Sequence, residues 1–152
     1  MTDETLELIQ MYAGDILNSD TYKIQKIYPH HRHVNVYEHE LHVTEIAINL
    51  ARNSKKDVNM RTLIRAAMLH DYYLYDWHYG RKWHRWHAYK HPRIAAENAE
   101  RDFGINEDIK NAILTHMWPL TLRMPKTIEA KILSKADKIA TFRENFHKNP
   151  LD

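Results

Sequence analysis

Six residues of this chain have the chemistry to hold one or two metal ions: His39, His70, Asp71, His91, His116 and Asp137. His70-Asp71 closes an apolar helical run, Leu63-Ile64-Arg65-Ala66-Ala67-Met68-Leu69, and the other four each fall on or at the end of a predicted helix. Burying unpaired carboxylates or several imidazoles is costly, and a divalent cation is one of the few partners that satisfies them together. His39, His70, Asp71 and Asp137 would give one ion two imidazole nitrogens and two carboxylates, with positions left for water or substrate. Asp71 has two oxygens, so it could also bridge to a second ion held by His91 and His116. Singly, each residue has a plainer reading. His39 and His116 could be hydrogen-bonded core histidines, Asp71 a helix-end carboxylate, Asp137 the partner of Lys135 or Lys138, and His91 a neighbour of a helix start. Periodicity leaves both readings open.

The elements that must position these residues are helical. Only 3 Gly and 5 Pro interrupt 152 residues, and apolar residues recur mainly at intervals of three and four, with no convincing strand alternation. A first helix is predicted from Asp3 to about Leu17, with Leu6, Ile9, Ala13 and Ile16 inward. A polar, histidine-bearing connection from Asn18 to Val36 leads to a helix from about Tyr37 to Asn53, whose inner stripe is His39, Val43, Ile46, Ala47 and Leu50. Asn59 caps a helix from Met60 to about Tyr72, on which Leu63, Ala67 and His70 share a face and Asp71 lies about 100° further round. Tyr73 to Tyr89 has no regular period and reads as a long functional loop. Pro92 suits the first turn of a helix ending at Phe103 and Gly104, and Asn106 caps another that carries Ile109, Ile113 and His116 before Pro119. A last helix, about Thr127 to Phe146, places Asp137 on a stripe with Ala130, Leu133 and Ala140.

Composition narrows the chemistry. The length suits one domain over residues 1–152, and 43% hydrophobic with 28% charged residues is ordinary for a globular chain. No stretch approaches the roughly 20 apolar residues of a membrane span, so no membrane is expected as a partner. Met1 to Thr5 lacks the basic start and apolar stretch of a secretory signal, and the expected location is cytoplasmic. The absence of cysteine excludes disulfides, thiolate sites and cysteine nucleophiles. A net charge of +2 does not argue for nucleic acid. Twelve histidines are many for this length, and His70, His78, His84, His87 and His91 crowd one short segment.

Five segments in order, YEHELHVTEIA (37 to 47), AAMLHDY (66 to 72), KHPRIAAENA (90 to 99), ILTHM (113 to 117) and SKADKIA (134 to 140), resemble the HD superfamily of metal-dependent phosphohydrolases. The resemblance covers about residues 35 to 146. It implies an all-α HD-type domain of about six helices, in which His39, His70, Asp71 and Asp137 correspond to the core metal ligands. His91 and His116 match the two further histidines of members with dinuclear centres. Two departures stand out. Many relatives follow the His-Asp pair with a small-residue turn and a lysine that reaches a substrate phosphate, whereas here Tyr72-Tyr73-Leu74-Tyr75 follows. His116 is followed by Met117-Trp118-Pro119-Leu120, unlike the glycine-rich signature of the cyclic-dinucleotide phosphodiesterases of the HD-GYP group.

The activity so implied is hydrolysis of a small phosphorylated compound, such as a nucleotide, by a metal-activated water. Mixed imidazole and carboxylate donors suit two ions of iron, manganese, cobalt, nickel or zinc, with no choice among them. Arg81, Lys82, Arg85 and Lys90, with Arg93 in the next helix, are candidate phosphate contacts in place of the missing lysine. His84 or His87 could give a proton to the leaving group, and Trp77, Trp83, Trp86 and Tyr89 could stack on a base or wall off the site. Alternatively, this segment is a surface lid or, less in keeping with the pattern, a surface for single-stranded nucleic acid. Two other functions compete: a di-iron oxygenase, since the ligand set also resembles that of myo-inositol oxygenase, and a module that binds a nucleotide without turnover. Sequence leaves the oligomeric state open.

Overall fold

The computed structural model describes residues 1–31, 33–78 and 84–146, with side chains from 86 onward in the last stretch. Among them are seven α-helices and one two-stranded hairpin. Helix α1 (Asp3–Asn18) starts at the Thr2 cap and buries Thr5, Ile9, Ala13 and Ile16. Leu6, expected on that stripe, is exposed, because the buried face follows the four-residue steps from Thr5. After it come the short α2 (Asp20–Lys23), a 3₁₀ turn (Ile24–Ile27), and strands β1 (Pro29–His31) and β2 (Val34–Asn35), which pair antiparallel. The sequence showed no strand here, since two or three residues are too few for alternation to register.

Asn35 opens α3 (Val36–Arg52) with a reciprocal capping box to Glu38, which fixes where the helix starts and so which residues face inward. His39, Val43 and Ala47 are fully buried on that face, with Ile46 and Leu50 partly so. Helix α4 (Met60–Leu69), capped by Asn59, is buried along Thr62 to Leu69 and packs against α1, α3, α6 and α7. It ends earlier than the sequence suggested. His70 is its C-cap, and the chain then turns, with Leu74 in the left-handed region at φ 58°.

Helix α5 (His84–Phe103) begins well before Pro92. The segment read as a loop to Tyr89 is therefore shorter, and Pro92 sits inside a helix, where it supplies no N–H to the carbonyl of Ala88. The preference of proline for a first helical turn misled the reading. Contacts of His87 with Trp77 and His91 support the extra turns. Gly104, at φ 56°, ends the helix in the left-handed conformation glycine adopts without strain. Helix α6 (Glu107–Thr115), capped by Asn106, and α7 (Ile128–Phe146) complete the bundle. Among the described residues, no helix is long and apolar enough to cross a membrane.

Candidate metal centre

Five helices deliver the six residues to one buried spot. His39 comes from the inner stripe of α3, His70 and Asp71 from the end of α4, His91 from mid-α5, His116 from the end of α6, and Asp137 from the inner stripe of α7. All six are buried. Because α4 stops at Leu69, the backbone turns after His70 and both members of the pair reach the same centre. A helix continuing to Tyr72 would have held them about 100° apart.

Around one half of the centre, His39 Nε2 lies 3.2 Å from Asp137 Oδ1 and 3.8 Å from Asp71 Oδ2. His70 Nε2 is 3.7 Å from Asp71 Oδ2 and 3.8 Å from Asp137 Oδ1. His70 Nδ1–H donates to the Ala67 carbonyl at 2.7 Å, so its buried Nε2 carries a lone pair and has no hydrogen-bond partner. Around the other half, Asp71 Oδ1 lies 3.1 Å from His91 Nε2 and 3.6 Å from His116 Nε2. His91 Nδ1–H donates to the His87 carbonyl and His116 Nδ1–H to the Ile113 carbonyl, which turns both Nε2 atoms toward Asp71 and toward each other. Imidazole nitrogens and carboxylate oxygens converging in a buried space suit a divalent cation, which displaces any proton they hold.

Burial and these contacts set the charge of each group, and His39 would release a proton on taking up an ion. Burial, with the neighbouring His70 and His91, pushes the His116 imidazole down to about 3, so it stays neutral. Burial would lower His39 too, but its bonds to the Asp137 and Glu144 carboxylates outweigh this and raise it to about 10. Burial alone would raise Asp71 and Asp137; the surrounding imidazoles hold both below the usual carboxylate range.

Two participants escaped the sequence reading. His30, from β1, donates Nε2–H to Asp71 Oδ2 at 2.9 Å and stacks on His39 with ring centroids 3.8 Å apart. Glu144 accepts from His39 Nδ1–H at 2.9 Å and from His42 Nδ1–H at 2.8 Å, which leaves His39 Nε2 to face the centre. A signal existed for Glu144, seven residues after Asp137 and hence two turns along the same face of α7. His30 lies in a segment without period. Lys138, offered as a partner of Asp137, instead donates to Ser134 Oγ at 2.7 Å and to the Ser134 and His116 carbonyls. Ser134 Oγ–H also donates to the His116 carbonyl at 2.8 Å, so α7 grips the turn that carries His116.

The centre opens into a cavity of about 560 Å³, lined on its metal side by Asp71, His91, His116 and Asp137. His87 is on its wall, stacked against Trp77 at 5.1 Å and His91 at 4.8 Å, with Nδ1 bonded to the Tyr75 hydroxyl at 2.8 Å. Arg93 is not a lining residue; it is exposed on α5 and paired with Glu97, because its position in the longer helix points it elsewhere. Trp86, Tyr89 and Lys90 do not line the cavity either. Arg81, Lys82 and Trp83, and the side chains of His84 and Arg85, lie outside the described residues.

A family model described as the HD domain matches residues 36–141. No curated protein and no solved structure matches the chain.

Proposed function

This chain belongs to the HD domain family, and on that premise we propose that it is a metal-dependent phosphohydrolase of a small phosphorylated compound, such as a nucleotide, acting in the cytoplasm as a single domain. The observation that carries this reading is the placement of Asp71 between two sets of imidazoles. Its Oδ2 faces His39 and His70, and its Oδ1 faces His91 and His116. His39, His70 and Asp137 with Asp71 Oδ2 would hold one ion, and His91 and His116 with Asp71 Oδ1 a second. Iron, manganese, cobalt, nickel and zinc all suit these donors. When bound, such ions supply an acidified water as nucleophile and neutralise charge developing on the phosphoryl oxygens.

The chain's own residues would do the rest. As the water oxygen bonds to phosphorus, the bond from phosphorus to the ester oxygen breaks, and that oxygen needs a proton. His87 is the donor in this reading. The Tyr75 hydroxyl, 2.8 Å from His87 Nδ1, can accept Nδ1–H, so that an imidazolium here would give its Nε2 proton to the ester oxygen and be left as the neutral ring. Arg81 and Lys82 would meet phosphate oxygens, and Arg81→Ala or Lys82→Ala should then raise KM.

The test is a screen of phosphomonoesters, nucleotides and phosphodiesters with added Mn, Fe, Co, Ni or Mg, run with and without oxygen. Metal-dependent phosphate release that persists anaerobically, and falls about 10²-fold or more in His87→Ala, is the expected result. No release with any metal would overturn the reading, and turnover only with oxygen consumption would replace it with an oxidative one.

A further inference from the structure

The cavity is not polar throughout. Away from Asp71 and Asp137 its walls include Trp77, Met117, Pro119, Leu120, Phe142 and Phe146, with Thr141 and Asn145 between the apolar groups of α7. Phe142 and Phe146 follow Asp137 on α7 by five and nine residues, about 7 and 14 Å along the helix axis. Their rings lie 4.6 Å apart, and they are 63% and 71% exposed, with Leu120 at 46%. Large apolar side chains gathered on a cavity wall mark a surface that something apolar covers. Among the described lining residues the one lysine or arginine is Lys138, and its ammonium is already bonded to Ser134 and the His116 carbonyl. A phosphate at the metal centre therefore has an apolar surface within reach of its ester group, and little described cationic surface for a second charge.

We infer that the substrate is the phosphomonoester of an apolar alcohol, whose uncharged aryl or alkyl group lies against Phe142, Phe146 and Leu120 while its phosphate meets the metal centre. This rests on the phosphohydrolase reading above. The patch is assigned to substrate and not to a second copy of the chain because Asp137 and Phe142 line the same cavity.

Non-hydrolysable phosphonates separate the two ideas. Binding of methyl-, butyl- and phenylphosphonate to the full chain loaded with Mn²⁺ is measured by calorimetry. Butyl- or phenylphosphonate should bind at least about tenfold tighter than methylphosphonate, and Phe142→Ala/Phe146→Ala should bring the affinities together. Leu120→Ser should shrink the preference independently. Phenyl ahead of butyl identifies an aromatic group, and butyl equal to or ahead of phenyl an aliphatic one. Absence of a preference, including absence of binding by all three, overturns the inference. So does a double variant that keeps the preference while sedimentation shows a dimer turned into a monomer. Failure to hydrolyse any phosphoester would instead sink the activity, whatever the phosphonates do.

Discussion

His91 Nε2 and His116 Nε2 face each other at 3.0 Å while both rings spend their Nδ1–H on backbone carbonyls. His116 is held neutral by burial, so its Nε2 carries a lone pair. A cation between the two nitrogens would be held by both rings. His70 Nε2 is likewise buried and without a hydrogen-bond partner. The bundle thus gathers buried groups that a metal ion could join.

Metal binding should accordingly stabilise the fold. At free metal about 100 times its Kd the linkage is about 2.7 kcal/mol, or about 5 to 10 °C in Tm for a chain of this size. Calorimetric melting with and without a chelator measures it. An unchanged Tm would mean that the cluster does not take up the ion.

Glu144 should matter although it faces the centre only through His39. Its bond to His39 Nδ1–H orients the ring, and Glu144→Gln should weaken metal binding by about 10- to 100-fold while the helical circular dichroism stays the same. His42→Ala, which removes the other bond to Glu144 at an exposed position, should change affinity less. Equal effects of the two would show that the His39 bond has no special part.

Away from the centre, Arg65 is buried on α4 and makes a two-pronged bond to Asp15 on α1, at 2.6 and 2.9 Å. The guanidinium holds the Asp15 carboxyl below its ordinary value. A lowered folded pKa adds stability that is present above the unfolded pKa of about 3.9 and is lost as pH falls through the folded value. Asp15→Asn should cost about 1 to 2 kcal/mol at neutral pH, less than a fully buried pair because Asp15 is largely exposed, and should flatten the acid limb of the stability profile. Urea melts from pH 7 down to 3 measure this, and parallel profiles for the two proteins would contradict it.

Much of the centre was legible because helices repeat. His39, His70, His116 and Asp137 sit on apolar stripes, and burial of a polar group on such a stripe demands a partner. What periodicity missed follows from where it stops. His30 lies in a short hairpin, and Glu144 sits among the exposed Phe142, Arg143 and Phe146, where it resembles an ordinary surface charge. The early end of α4 was hidden by apolar Tyr72 and Tyr73, which are buried but outside the helix. Pro92 concealed two turns of α5, since a helix can carry proline inside when neighbouring side chains hold the turn.

Asp71 has the most direct bearing on the proposed activity, because one carboxylate reaches both halves of the centre. Phosphate release and metal content should be measured together on purified wild type and Asp71→Ala. The expected result is metal-dependent release by the wild type, with the variant losing bound metal and at least about 10²-fold in rate. Hydrolysis that survives Asp71→Ala with unchanged metal content would contradict the proposed centre.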